Sequence, residues 1–153
     1  MKVRGISHAA LLVSDVEESC RFYGEVIGME EVPRPSNFHF PGAWFRQGTA
    51  ELHLIGEAEP GRVRQVHPGY RPEELAEGYG VHIAFEVEDM DRALKLARDR
   101  GAEIVGEPRP RGDGITQMYL TDPDGHLVEL MGPGGSGEAD EAPIRTGISI
   151  EES

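Results

Sequence analysis

Three histidines and one glutamate recur along this chain at spacings that could serve one piece of chemistry. His8 and His82 each open an apolar run, "HAALLV" and "HIAFEV", while His53 and Glu129 each sit inside another, "LHLIG" and "VELMG". Shifting the chain on itself by 74 residues lays His8 on His82, and a shift of 76 lays His53 on Glu129. Imidazole nitrogens and carboxylate oxygens are donors that suit Zn, Ni, Fe, Co or Mn, so His8, His53, His82 and Glu129 form a candidate site for a divalent metal ion. Glu129 adds an argument of its own. A carboxylate between Val128 and Leu130 suffers a large desolvation penalty if it points inward, and a cation removes that penalty. We therefore expect Glu129 to point inward and to meet a metal.

The elements that position these residues repeat as well. Each half begins with an apolar strand and then places an aspartate, Asp15 or Asp89, where its side chain can cap the exposed N–H groups of a following helix. The first helix presents Val16, Cys20, Tyr23 and Ile27 on one face, and the second presents Met90, Ala93 or Leu94, and Ala97. Gly28 and Gly101 end them. Three short strands come after each helix, near Glu30–Pro33, Ala43–Gln47 and Ala50–Ile55, then near Glu103–Glu107, Thr116–Leu120 and Leu127–Met131. The expectation is an α+β fold with a first βαβββ module over 1–56, an inter-module loop over 57–78 and a second module over 79–133. A flexible acidic tail over 134–153 completes the chain. Because strand side chains alternate faces, all four candidate ligands can converge on one concave surface.

Bulk properties limit what such a chain does. Its 153 residues are enough for one domain with its own core. A net charge of -13, from 28 acidic and 15 basic residues, argues against nucleic acid as a partner. No apolar run approaches a membrane span, and the first 25 residues lack a signal-peptide layout. The single cysteine, Cys20, cannot close an internal disulfide, which points to the cytoplasm.

Beyond these readings, "FYGEVIGMEEV", the histidine-bearing first strands and "DPDGHLVEL" resemble the vicinal oxygen chelate superfamily over Gly5 to Pro133. That group contains glyoxalases, extradiol dioxygenases and bleomycin resistance proteins. The resemblance implies paired βαβββ modules curled as a mixed sheet around a metal-binding cavity, often in a homodimer. It places metal ligands at His8, His82 and Glu129. For the fourth position Glu51 and His53 compete, since they share strand parity; the internal repeat favours His53, which falls opposite Glu129.

The chemistry implied is electrophilic stabilisation of an enolate or oxyanion on a small oxygen-bearing substrate by a glyoxalase-like lyase or isomerase, with Glu129 as catalytic carboxylate. Two other readings stay open. His8, His82 and Glu129 alone would suit a two-His-one-carboxylate Fe(II) dioxygenase. A drug-binding protein of the bleomycin resistance kind would need no metal. The loop supplies Arg62, Arg64, His67 and Arg71, either as a solvated linker or to meet an anionic substrate. Phe38, Phe40, Trp44 and Phe45 divide between core and pocket. His39, His67 and His126 are expected at the surface, and Cys20 in packing.

Overall fold

The computed structural model describes residues 1–134, so the tail expected from 134 onward lies outside the described residues except for Gly134. The first module runs β1 (Ala9–Val13), α1 (Val16–Arg21), β2 (Glu30–Val32), β3 (Gly42–Gln47) and β4 (Ala50–Gly56). The second runs β5 (His82–Glu86), a helix Met90–Asp99, β6 (Glu103–Pro110), β7 (Thr116–Thr121) and β8 (Leu127–Gly132). Both helices start as their sequence dictates. Asp15 accepts a hydrogen bond from the Glu18 N–H at 3.0 Å, and Asp89 accepts one from the Arg92 N–H at 2.9 Å.

The two helices differ in their later turns. Between its capping aspartate and its terminal glycine the first helix has one residue more than the second. The extra residue is taken up in a π-helical segment, Phe22–Ile27, in which the helix widens. Gly28 then closes the segment in the left-handed region, with φ of 91°, and both its own N–H and that of Met29 return to the Tyr23 carbonyl.

The connection between modules carries two short helices, α2 (Arg62–Val66) and α3 (Pro72–Ala76), which periodicity did not disclose. Glu57 holds α2 in place by accepting from the N–H groups of Gly61 and Val63, and those bonds keep its carboxyl below the ordinary range. With these two included, the helix of the second module is α4.

Each module forms a four-stranded mixed sheet, ordered β1-β4-β3-β2 and β5-β8-β7-β6, with the outer pair β1/β4 or β5/β8 parallel and the others antiparallel. The two sheets stay separate, and neither closes on itself. Alternation gives each sheet two unlike faces. Ala43, Phe45, Leu52 and Leu54 from the first and Met118, Leu120, Val128 and Leu130 from the second enter one core with Phe22, Tyr23, Met90 and Ala97. Burying each large apolar side chain there is worth about 1.5–3 kcal/mol. The opposite faces carry Trp44, Glu51 and His53 in one module and His82, Tyr119 and Glu129 in the other. Both site faces are thus turned away from the core the modules share.

The turn "TDPDGH" clasps the modules together. Buried Tyr23 donates its hydroxyl to Asp122 Oδ2 at 2.9 Å, while Asp122 Oδ1 accepts from the N–H groups of Asp124 and His126. Ser14 donates its N–H to Asp124, and His126 Nε2 donates to the Leu12 carbonyl at 2.8 Å. Burial raises the Asp122 carboxyl, against the lowering influence of His126, and burial beside Asp122 raises the Tyr23 phenol well above its ordinary value. The surface position expected for His126 is not observed; the residue is half-buried because the clasp needs its ring at β1.

Candidate metal centre

In the first module the site is built by the β3/β4 hairpin. Its turn at Gly48-Thr49 sets a register in which Trp44 faces His53 and Arg46 faces Glu51. The Trp44 indole lies flat on the His53 ring, with centroids 3.9 Å apart and planes 2° from parallel. His8, just before β1, stacks on His53 as well, at 4.0 Å and 18°. Glu51 Oε1 stands 2.8 Å from His53 Nε2, and its other oxygen accepts from Arg46 Nη2 at 2.8 Å and Nε at 3.2 Å. A carboxylate only accepts, so Nε2 carries the proton. The hydrogen bond from His53, then that from Arg46, lowers the Glu51 carboxyl.

The second module arranges its pair differently. His82 Nδ1 lies 2.7 Å from the Gly80 carbonyl, which can only accept, so Nδ1 is the protonated nitrogen. That leaves the lone pair on Nε2, and Nε2 stands 2.9 Å from Glu129 Oε2. The two atoms are close but are not hydrogen-bonded to each other, so both stay available to a shared partner. Glu129 is 6% exposed, so it is buried as expected, but on the sheet face that turns away from the common core. Oε1 has no hydrogen-bond partner among the described residues. Tyr119 lies opposite Glu129 on β7 and meets the His82 ring edge-on at 5.9 Å. Burial, then the Glu129 charge, raises its phenol. Arg111 also faces Glu129, although its main partner is Asp113.

The four candidate ligands therefore come together as two pairs, His8 with His53 and His82 with Glu129, on separate sheets. Among the described residues no three His, Cys, Asp or Glu side chains converge on one point. Convergence of all four within one chain, the expectation from strand alternation, does not occur, because both ligand faces turn away from the common core. The donor chemistry nonetheless fits a divalent ion: each face offers two donors, and His82 Nε2 and Glu129 Oε2 lie close enough together to share one.

The remaining candidates fall outside these faces. Arg62 bonds to Gln65 and Arg71 to Glu74 at the surface, and His67 lies 4.9 Å from the His126 ring. Phe45 is core, whereas Trp44 belongs to the site. Arg46 and Tyr119 are neighbours of the candidate ligands that residue spacing did not single out, whereas Trp44 was already a candidate for the pocket. The signal for Arg46 was cross-strand register: a two-residue turn at Gly48-Thr49 already pairs position 46 with 51, as it pairs 44 with 53.

Over residues 5–130 the chain matches the family model of the Glyoxalase/Bleomycin resistance protein/Dioxygenase superfamily. It is 30% identical over 129 residues to a probable lactoylglutathione lyase from Synechocystis sp., spanning 81% of this chain and 92% of that protein. A solved structure assigned to the glyoxalase family from Bacillus anthracis superposes with a TM-score of 0.68 at 28% identity, covering 87% of this chain and 98% of that one. The fold is shared too by a fosfomycin resistance protein, FosX, from Listeria monocytogenes complexed with Mn(II), with a TM-score of 0.59 at 22% identity over 84% of this chain and 90% of that one.

Proposed function

Because the chain belongs to the Glyoxalase/Bleomycin resistance protein/Dioxygenase superfamily, we propose that it is a divalent-metal-dependent lyase or isomerase working as a homodimer. His8 and His53 of one copy meet His82 and Glu129 of a second, and the ion is held by all four. The observation that carries this reading is the division of the quartet into two pairs on faces turned outward from one core. Apolar side chains stand exposed beside both pairs, Ile55 on the His53 face and Tyr79 and Val81 next to His82. A second copy would cover them. Among the described residues no helix is long and apolar enough to cross a membrane.

Bound there, a divalent ion would supply electrophilic stabilisation for charge developing on adjacent substrate oxygens. The chain's own residues do the rest. Glu129 keeps Oε2 toward His82, and Oε1 is the oxygen available to take a proton from a substrate carbon placed within about 3 Å. Tyr119, its phenol kept protonated by burial, stands beside Glu129 as a hydrogen-bond donor to substrate oxygen. The clamped fourth imidazole, His53, fills a position that a dioxygenase leaves open, which favours proton transfer over oxygen chemistry.

The test is complementation. His8→Ala and Glu129→Ala variants should each lose bound metal. A heterodimer of the two, co-expressed with different tags, has one intact site and should hold about half the wild-type content. A monomeric protein that retains full metal would overturn the shared site. A dimer that takes up no divalent ion would overturn the metal-dependent reading and favour a drug-binding protein.

A further inference from the structure

Glu51 and Glu129 both touch a histidine of the candidate centre, yet their surroundings differ. Both oxygens of Glu51 are engaged, Oε1 by His53 Nε2 at 2.8 Å and Oε2 by the Arg46 guanidinium. The guanidinium offsets its charge. Glu129 has no arginine hydrogen bond among the described residues, and one oxygen remains without a partner there. A carboxylate whose oxygens are both spoken for is poorly placed to bind an ion, but well placed to orient the ring that does.

We infer that Glu51 is a positioning residue: held by Arg46, it fixes the His53 ring with Nε2 protonated and presents Nδ1 as the metal-binding nitrogen. The ring has little freedom to do otherwise. Trp44 covers one face of it in near-parallel contact, and turning the ring over would break the bond to Glu51. The β3/β4 register supplies both restraints at once, since Trp44 and Arg46 are the cross-strand partners of His53 and Glu51. Metal-bound histidines commonly donate their second nitrogen to a carboxylate in this way, and losing such a carboxylate typically costs about 10–100-fold in metal affinity. The inference rests on the metal-centre reading given above and adds which atom binds and which residue orients it.

The test uses the full chain and cobalt(II). Trp44 is the only tryptophan, and its contact with His53 makes its emission a reporter of the site, alongside the visible absorption of the bound cobalt. Glu51→Ala should weaken cobalt binding by about 10–100-fold while leaving the visible spectrum, and hence the ligand set, unchanged. Glu51→Gln keeps an oxygen to accept from Nε2 and should recover most of that loss. His53→Ala should change the spectrum itself. NMR of nitrogen-labelled histidine in the zinc-loaded protein should show Nδ1 of His53 carrying the metal. The inference is overturned if Glu51→Gln alters the cobalt spectrum, since Glu51 is then a ligand. It is equally overturned if Glu51→Ala binds like wild type, or if the metal is found on Nε2. Wild-type protein that binds neither cobalt nor zinc would overturn the metal centre itself, and the inference with it.

Discussion

The two modules are copies of one plan, and each sets a carboxylate against an imidazole on the same kind of surface. In the first, the carboxylate is Glu51, neutralised by Arg46, and the imidazole on the last strand is wedged beneath an indole. In the second, the carboxylate is Glu129, on the last strand itself, and the imidazole is fixed from behind by a backbone carbonyl. The same two groups have exchanged roles. Where the ring is clamped, the carboxylate is placed to orient it; where the carboxylate is buried with a free oxygen, our proposal has it bind and react. Position in a repeat therefore says where a functional group stands, and its hydrogen-bond partners say what it does there.

The largest effect that separates the modules should come from one chemical change made in both. Glu129→Gln keeps shape but removes the carboxylate charge beside His82 Nε2, and with it the proposed metal ligand and base. Losing a general base typically costs about 10²–10⁴ in rate, so lyase or isomerase turnover should fall in that range, together with metal content. The same change at Glu51 should leave turnover little altered. Equal losses at both positions would erase the distinction between binding and orienting carboxylates. Assaying both variants on one active substrate decides it.

Much of this comparison was legible in the residues alone. Both aspartate caps, all eight strands and the burial of Glu129 come from alternation, capping chemistry and the repeat. What escaped is what depends on contact between segments far apart in sequence. The turn at Asp122–Gly125 has the composition of an ordinary β-turn, and nothing local reveals that Asp122 receives the Tyr23 hydroxyl 99 positions away. The five-residue helices α2 and α3 are too short for periodicity to show. Separation of the two candidate pairs was equally hidden, because alternation defines two faces for each sheet but not which way two sheets turn their faces.

A smaller effect tests the clasp, which only one module provides. The repeat places Ala97 at the position of Tyr23, so the second helix has no hydroxyl to offer. Tyr23→Phe would leave Asp122 Oδ2 buried without its donor, a loss of about 1–3 kcal/mol. Urea unfolding should show the midpoint falling accordingly, with the unfolding slope unchanged. An unchanged midpoint would mean that the backbone bonds to Oδ1 hold the turn alone, and that the hydroxyl is incidental.

The smallest effect comes from the place where the first module is the poorer copy. Ser19 is fully buried in α1, and among the described residues its Oγ is the one side-chain polar atom wholly shut off from water without a hydrogen-bond partner. The equivalent residue in α4 is Ala93. A buried hydroxyl without a partner carries a desolvation cost of about 1–3 kcal/mol, and serine is also the weaker helix former. Against this, Ser19→Ala leaves a void smaller than a methylene, so the net gain should be about 1 kcal/mol, read as a higher urea midpoint. Metal content should not change, because the residue faces the core and not the site. A loss of stability would show that the hydroxyl is satisfied in solution, and that the first helix, widened by its π-helical segment, admits water where its copy does not.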